Sequence, residues 1–466
     1  MFLDPYLTEY DDRLSGDASI DPLGMLIIWS AFGRRIFKNR VNSISNDVRN
    51  YTLNLFHHNL IRRIVRDESI VLSRALEGVF GRKDSTAFKS ACLLYLENLF
   101  VFSVIWYEAE SKRSNGQARP SVESSGVLGV SKGNRIWNET NENPLLVFSR
   151  NRPDREILKR QLGLGVSGRY KSPMMQIGYF DTHYHYHLPS AEPLWRDAEQ
   201  FIAGNPSMHT LAAQCYEHLS QLLTINRKDP ETPFKSIPES LPLAYVQTFP
   251  NSGTVGKFAR EFWLKATGLN LGAAGALLNT LDQQPNRAEA LSARELIYQT
   301  PTPVPEEEGL KFEHIKQLEP FLADAVLLFN LMACRKSQTV QHVMEQWQKF
   351  HRDARTLPDR ARAILDNDKL LKVTVGASRH RLNKLLQLAN TSSMTEQVHL
   401  LVDYHRSVMA QRGQASWLDI VGDEIRLDAR PMRDPDVKHW EPGAWYHSYY
   451  LPNFQALVRG YQGVGA

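Results

Sequence analysis

Cysteine is scarce in this 466-residue chain: there are three, Cys92, Cys215 and Cys334. They lie far apart among apolar neighbours and form no Cys-x-x-Cys pair, so neither a zinc knuckle nor a thioredoxin-type site has support. Isolated, buried thiols suit a reducing cytosol. A surplus of charge is also missing. Lys plus Arg is 55 and Asp plus Glu is 51, a net +4, so a general field cannot hold nucleic acid and any such affinity must come from local clusters. No fixed-period repeat occurs, which leaves a regular solenoid unsupported. Asn251 stands where a Walker A loop ending at Lys257 would need glycine, and no G-x-S-x-G elbow is present. Residues 1–12 are acidic, and Arg34, Arg35 and Lys38 follow the apolar run 23–32, the reverse of a secretory signal. A cytoplasmic protein without a membrane association is the expectation.

What is present is ordinary globular composition, 42% hydrophobic and 23% charged, in a chain long enough to bury several cores. The most apolar stretch, 91–107, approaches the length of a membrane span. Glu97 and Asn98 sit near its middle, where a charge is costly in lipid, so the stretch reads as a central core helix.

Helical periodicity dominates, and the fold class is mainly α: a multi-helical body with a small mixed, winged-helix-like insert around 144–205. Residues 1–110 read as an N-terminal helical domain, with Asp21-Pro22, Asn46-Asp47 and Asp84-Ser85-Thr86 as helix starts. Residues 111–143, rich in Ser, Gly and Asn, read as a flexible basic loop carrying Lys112, Arg113, Arg119, Lys132 and Arg135. In 144–205 the pattern predicts a helix over 154–162, an extended ribbon over 174–188 and a helix over 190–203. A helical region follows over 206–299, with helices over 208–223, 254–266 and 288–298. The C-terminal helical domain, 309–466, carries helices over 312–334, 339–355, 379–389 and 395–412. It also has a hairpin at 416–428 that turns at Gly422-Asp423. Its aromatic end (Trp440, Trp445, Tyr446, Tyr449, Tyr450, Phe454, Tyr461) suits a helix docked into the body.

Two kinds of candidate site stand out. In Asp181-Thr182-His183-Tyr184-His185-Tyr186-His187 a strand would put His183, His185 and His187 on one face with Asp181 in line, where imidazoles can converge on a divalent metal. The second kind is cationic. Arg152, Arg155 and Lys159 would stack on one side of a helix after Pro153, close to Arg150 and Arg160 and followed by Gly163, Gly165, Gly168, Arg169 and Lys171. Cations beside glycine-rich backbone suit phosphate. Arg379, Arg381 and Lys384 open a helix capped by Ser378, where an anion would relieve their conflict with the helix dipole. The pair His399 and Asp403, four residues apart, reads as surface pairing.

Two resemblances attach to these residues. Asp181-Thr182-His183-Tyr184-His185 resembles the Asp-x-His-x-His metal motif of the amidohydrolase superfamily, although helix-rich sequence follows it rather than repeated β/α units. The segment 169–179, of form R-Y-x-x-P-x-x-x-x-G, resembles segments of uncharacterised accessory proteins of bacterial multi-gene anti-phage defence operons. That second resemblance implies a helical body with a small winged-helix-like insert that serves a separate helicase, nuclease or ATPase.

Three functional expectations follow. The first is a non-catalytic accessory component, without a cofactor, that works with other proteins of its system. It would contact nucleic acid, DNA before RNA, through Arg155, Lys159, Arg169, Lys171, Arg379, Arg381 and Lys384. The second is a metal-dependent hydrolase that binds a divalent ion at Asp181, His183, His185 and His187. The third is a structural scaffold that docks partners on the aromatic C-terminus.

Overall fold

The computed structural model describes residues 21–113, 122–284, 291–303 and 305–464; the segment 1–12, Arg119 and the start of the helix predicted over 288–298 lie outside them. The fold is mainly α. The protein is 64% helical, with 21 α-helices among the described residues and only five short strands in two small sheets. Its apolar core is one cluster that draws on residues from Leu23 to Tyr461.

Local signals place several helix starts. Asp47 caps the helix Val48–Arg66 (α2), and its carboxylate accepts the N–H groups of Arg49 and Asn50. Ser85 Oγ accepts the Phe88 N–H at 3.2 Å and opens the 28-residue helix Thr86–Arg113 (α3). Of its most apolar window, 89% is buried inside the protein, as a core helix requires. Asp21 accepts the N–H groups of Met25 and Leu26 at 2.9 and 3.0 Å, so the first described helix, Leu26–Phe37 (α1), begins at Leu26 rather than at Pro22.

The hairpin forms as its sequence predicts. Strands Leu418–Val421 and Glu424–Leu427 pair antiparallel around Gly422, whose φ of 64° is the left-handed conformation glycine tolerates. The strand Ser337–Thr339 completes this sheet on the other edge of Glu424–Leu427. The second sheet joins Leu145–Val147 to the distant segment Glu231–Pro233.

Four expectations are corrected. Residues 111–143 are not loop throughout: α3 continues to Arg113, and a helix forms over Val130–Glu139. The helix expected over 154–162 is a 3-10 turn, Pro153–Arg155, and a short helix, Gln161–Leu164. The ribbon expected over 174–188 is the end of the helix Lys171–Ile177 followed by successive turns, so no wing forms there. The helix expected over 339–355 ends at Lys349. The helices Ser240–Thr248 and Thr356–Leu365 lie outside the predicted ones and carry Pro242 and Pro358. Both prolines fall in a first turn, where the missing N–H has no partner to lose.

Two buried acids on the helix Glu306–Ala333 (α6) hold the C-terminal segment against the body. Glu319, fully buried, accepts from Trp29 Nε1 of α1 at 2.8 Å, Tyr449 OH at 2.5 Å, and the N–H groups of Tyr446 and His447 at 2.6 and 2.7 Å. One turn on, Asp324 pairs with Arg352 at 3.0 Å and Arg360 at 2.5 Å. The Arg352 guanidinium also donates to the carbonyls of Trp440 and Glu441. The aromatic end is thereby drawn inward: Tyr449, Phe454 and Tyr461 are buried, and Trp440 and Trp445 are half-buried.

Burial raises the Glu319 carboxyl to about 7, against the pull of its four donors. An unfolded chain releases this proton near 4.5, so between these two values the folded state binds more protons. The stability that this proton brings is complete below the lower value, and roughly 3 kcal/mol of it is lost as pH rises through the upper one. In Glu319→Gln this pH dependence should vanish. The variant should also be destabilised by about 2 kcal/mol, because an amide NH2 must then face a donor. Urea unfolding of both proteins at pH 5 and pH 7.5 measures the difference; equal slopes against pH would refute the assignment.

Candidate functional site

The glycine-rich stretch after the first basic block closes around an acid of the protein's own. Glu97, fully buried in the middle of α3, accepts the Ser167 N–H at 2.6 Å and Gln161 Nε2 at 3.1 Å. Gln161 Nε2 also donates to Asn98 Oδ1 at 2.9 Å. A Cβ on Gly165 would come within 2.4 Å of Glu97 Oε2, and one on Gly168 within 2.4 Å of the Gly163 backbone. Gly165 therefore serves close approach to α3, and Gly168 close approach between two turns of its own segment. Burial raises the Glu97 carboxyl, while the Ser167 and Gln161 donors lower it.

The cations around this stretch divide. Arg169 Nε donates to the Leu164 carbonyl at 2.9 Å, and Arg155 lies 3.2 Å from the Asp154 carboxylate. Lys171 Nζ donates to the Thr182 carbonyl at 2.8 Å and sits 4.4 Å from the centre of the Tyr184 ring. Because the helix expected over 154–162 does not form, Arg152, Arg155 and Lys159 do not stack as a stripe. Arg150, Lys159 and Arg160 remain exposed.

The second patch is drawn into the body. Arg379 donates to the Leu371 carbonyl, Arg381 Nη1 to the Gly24 carbonyl at 2.6 Å, and Lys384 Nζ to Ser407 Oγ at 3.4 Å. Ser378 does not cap the helix as expected: the helix Gly376–Leu385 starts before it, with Val375 as its N-cap, and Ser378, inside its first turn, accepts the Val375 N–H on Oγ at 3.1 Å. Lys384 shares a cleft of about 710 Å³ with His399 and Asp403.

The histidine ribbon keeps one face without being a strand. Asp181 Oδ1 accepts the N–H groups of His183 and His185 at 2.9 and 3.1 Å, which closes a turn, and Tyr184 takes a positive φ of 57°. Phe180, Tyr184 and Tyr186 go inward, where Tyr186 OH meets His58 Nδ1 at 2.8 Å. His183 and His187 are exposed and His185 is half-buried. Their ring centres are 5.8 and 6.0 Å apart along the row. Asp181 Oδ2 holds His185 Nδ1 at 2.7 Å, and Asp84 lies 3.6 Å from His187 Nε2. Asp181 therefore orients His185 from behind instead of standing beside it as a ligand. Among the described residues no group of three or more His, Cys, Asp or Glu is placed to hold a metal ion.

Three arginines near the end of α2 were missed. Arg62, Arg63 and Arg66 line a cleft of about 760 Å³ between α2 and the helices Glu192–Gly204 (α4) and Pro206–Thr224 (α5). The signal is in the sequence, three cations within five positions at the end of the helix, but cations in a last helical turn are the ordinary complement to the dipole and do not by themselves mark a site.

Replacing His183 and His185 together with alanine should leave the melting temperature within about 2 °C, since surface substitutions are usually worth no more than about 0.5 kcal/mol. The same change should leave the metal content of the purified protein unaltered. Loss of a stoichiometric zinc or manganese ion in the double variant would instead establish the metal-binding reading.

No family model, no curated protein and no solved structure matches this chain in the comparisons with known proteins.

Proposed function

We propose that the chain is a non-catalytic accessory component of a larger assembly and that it contacts the phosphate backbone of DNA through the exposed part of the 150–160 block. Buried groups that could carry chemistry are held in structural bonds. Glu97 and Glu319 are bonded by N–H and O–H donors, and Asp324 is paired with two arginines. His405 donates from Nδ1 to the Pro22 carbonyl at 2.7 Å and accepts the Trp417 N–H on Nε2 at 3.0 Å.

The observation that carries the DNA contact is the division of the cations. Arg150, Lys159 and Arg160 stay exposed at the surface, while Arg169, Arg379 and Arg381 bond to backbone carbonyls. A bacterial anti-phage system is the setting that the resemblance of segment 169–179 suggests. A second reading, a divalent-metal site on the histidine ribbon, rests on the Asp181–His185 bond. A carboxylate behind Nδ1 is how metal-ligating histidines are commonly oriented.

Each neutralised phosphate contributes about 0.9 to the log–log salt dependence of duplex binding. The double variant Lys159→Ala/Arg160→Ala should therefore flatten that slope by about 1.8 and keep the wild-type melting temperature. Arg381→Ala should leave the slope unchanged and lose about 1–3 kcal/mol of stability, since it strips a buried carbonyl of its donor. Anisotropy titrations of a labelled duplex between low and moderate salt read the first effect, and thermal melts the second. Absence of wild-type binding to DNA, or a slope that responds to Arg381 and not to Lys159, would overturn the reading.

A further inference from the structure

The cleft between α2, α4 and α5 has a built floor and a cationic rim. Phe56, Leu60 and Ile202 supply buried apolar surface at its base, and its volume of about 760 Å³ lies within the range typical of small-molecule sites. The arginines that line it have different fates. Arg62 is 2% exposed, bonds to Glu192 and Glu199 of α4, and lies 5.4 Å from the centre of the Trp195 ring. Its charge is thus absorbed in holding α4 against α2.

Arg63 and Arg66 are exposed on the same helix face, one turn apart. Arg63 lies 4.1 Å over the Tyr216 ring. The acid closest to this ring, Asp67, is occupied by other donors: Tyr216 OH donates to Oδ2, and the Ser69 N–H and hydroxyl donate to Oδ1. Those hydrogen bonds lower the Asp67 carboxyl to about 2, so it stays ionised without taking Arg63 as its partner. Among the described residues no carboxylate forms an ion pair with Arg63, and Arg66 has one loose pair, to Glu192 at 3.7 Å. Asn59 lines the same cleft and carries a buried Nδ2 with no hydrogen-bond partner.

We infer that this cleft binds a small organic phosphate, with the phosphate on the Arg63 and Arg66 guanidiniums and the apolar part of the molecule on the Phe56, Leu60 and Ile202 floor. A guanidinium stacked on an aromatic ring presents its N–H fork already oriented, and that fork matches a phosphate edge in two parallel bonds. Arg66 also borders a smaller hollow of about 230 Å³ beside His187. The inference concerns a different surface from the proposed DNA contact, and the two can fail separately.

Calorimetric titration of the full chain with adenosine monophosphate, inorganic phosphate and adenosine tests it. The nucleotide should bind at least tenfold more tightly than either part alone, because only it engages both floor and rim. In Arg63→Gln/Arg66→Gln the nucleotide affinity should fall at least about tenfold, the loss of one good charge-assisted contact. The melting temperature should be retained, since both side chains are exposed. Ala213→Trp, on an exposed position of the cleft wall, should block the nucleotide with both arginines in place. In both variants the DNA salt slope should be that of wild type. No heat with any of the three probes, equal affinity for phosphate and nucleotide, or undiminished binding by the double variant would overturn the inference.

Discussion

The buried carboxylate of Glu319 is the constraint on which the arrangement of the chain ends depends. Four donors reach it from two directions: the indole of Trp29 in α1, and a hydroxyl and two backbone N–H groups between Tyr446 and Tyr449. An isolated charge at this depth would be very costly. Four donors offset that cost only if α1, α6 and the C-terminal segment are all in place, so the carboxylate makes their docking cooperative. The His447 ring is stacked on Trp29 at 4.9 Å and is held neutral by its burial, which drives its pKa down to about 3. It accordingly adds apolar contact without adding a second charge.

Glu97 and Asp324 repeat this principle elsewhere. Each is an acid in the middle of a long, strongly apolar helix, and each takes a donor from chain that forms only short helical turns or irregular structure. Glu97 fastens residues 161–167 to α3, and Asp324, through Arg352, fastens the segment around Trp440 to α6. Irregular chain exposes backbone polar groups that helices and strands would otherwise satisfy. Fixing such chain to a helical body calls for strong directional bonds, which charge-assisted hydrogen bonds supply. The polar residues that interrupt the apolar runs of α3 and α6 are therefore what allow short helical turns and irregular chain to pack against those runs.

Much of the helical architecture was legible because its causes are local. Asp47 and Ser85 cap the helices that follow them, Gly422 turns the hairpin, and apolar periodicity gives most of the long helices. What could not be read locally was the partner of each polar side chain. Arg381 donates to a carbonyl 357 positions away, and Glu97 accepts from an N–H group 70 positions away. The same limit explains the ribbon at 174–188. Alternating aromatic and histidine residues read as a strand, yet with no neighbouring strand to pair with, the backbone closed on the Asp181 carboxylate in turns. The inward and outward alternation survived, since it depends on the burial of Phe180, Tyr184 and Tyr186 and not on a ladder.

The arginines of α2 show how far residue type alone can carry a functional argument. Arg62, Arg63 and Arg66 belong to one turn of one helix and would be indistinguishable in a count of basic residues. Arg62 faces α4, where Glu192 and Glu199 take its charge, and it becomes a packing element. Arg63 faces α5, which offers an aromatic ring in place of an acid, because the nearby Asp67 already holds Tyr216 and Ser69. A cation stacked on a ring leaves its charge unbalanced and most of its donors unused, whereas a cation between two carboxylates has its charge balanced and its donors occupied. The difference between a structural arginine and a ligand-binding one thus lies in which helix crosses α2 at that position, a property of the tertiary fold that no window of the sequence contains.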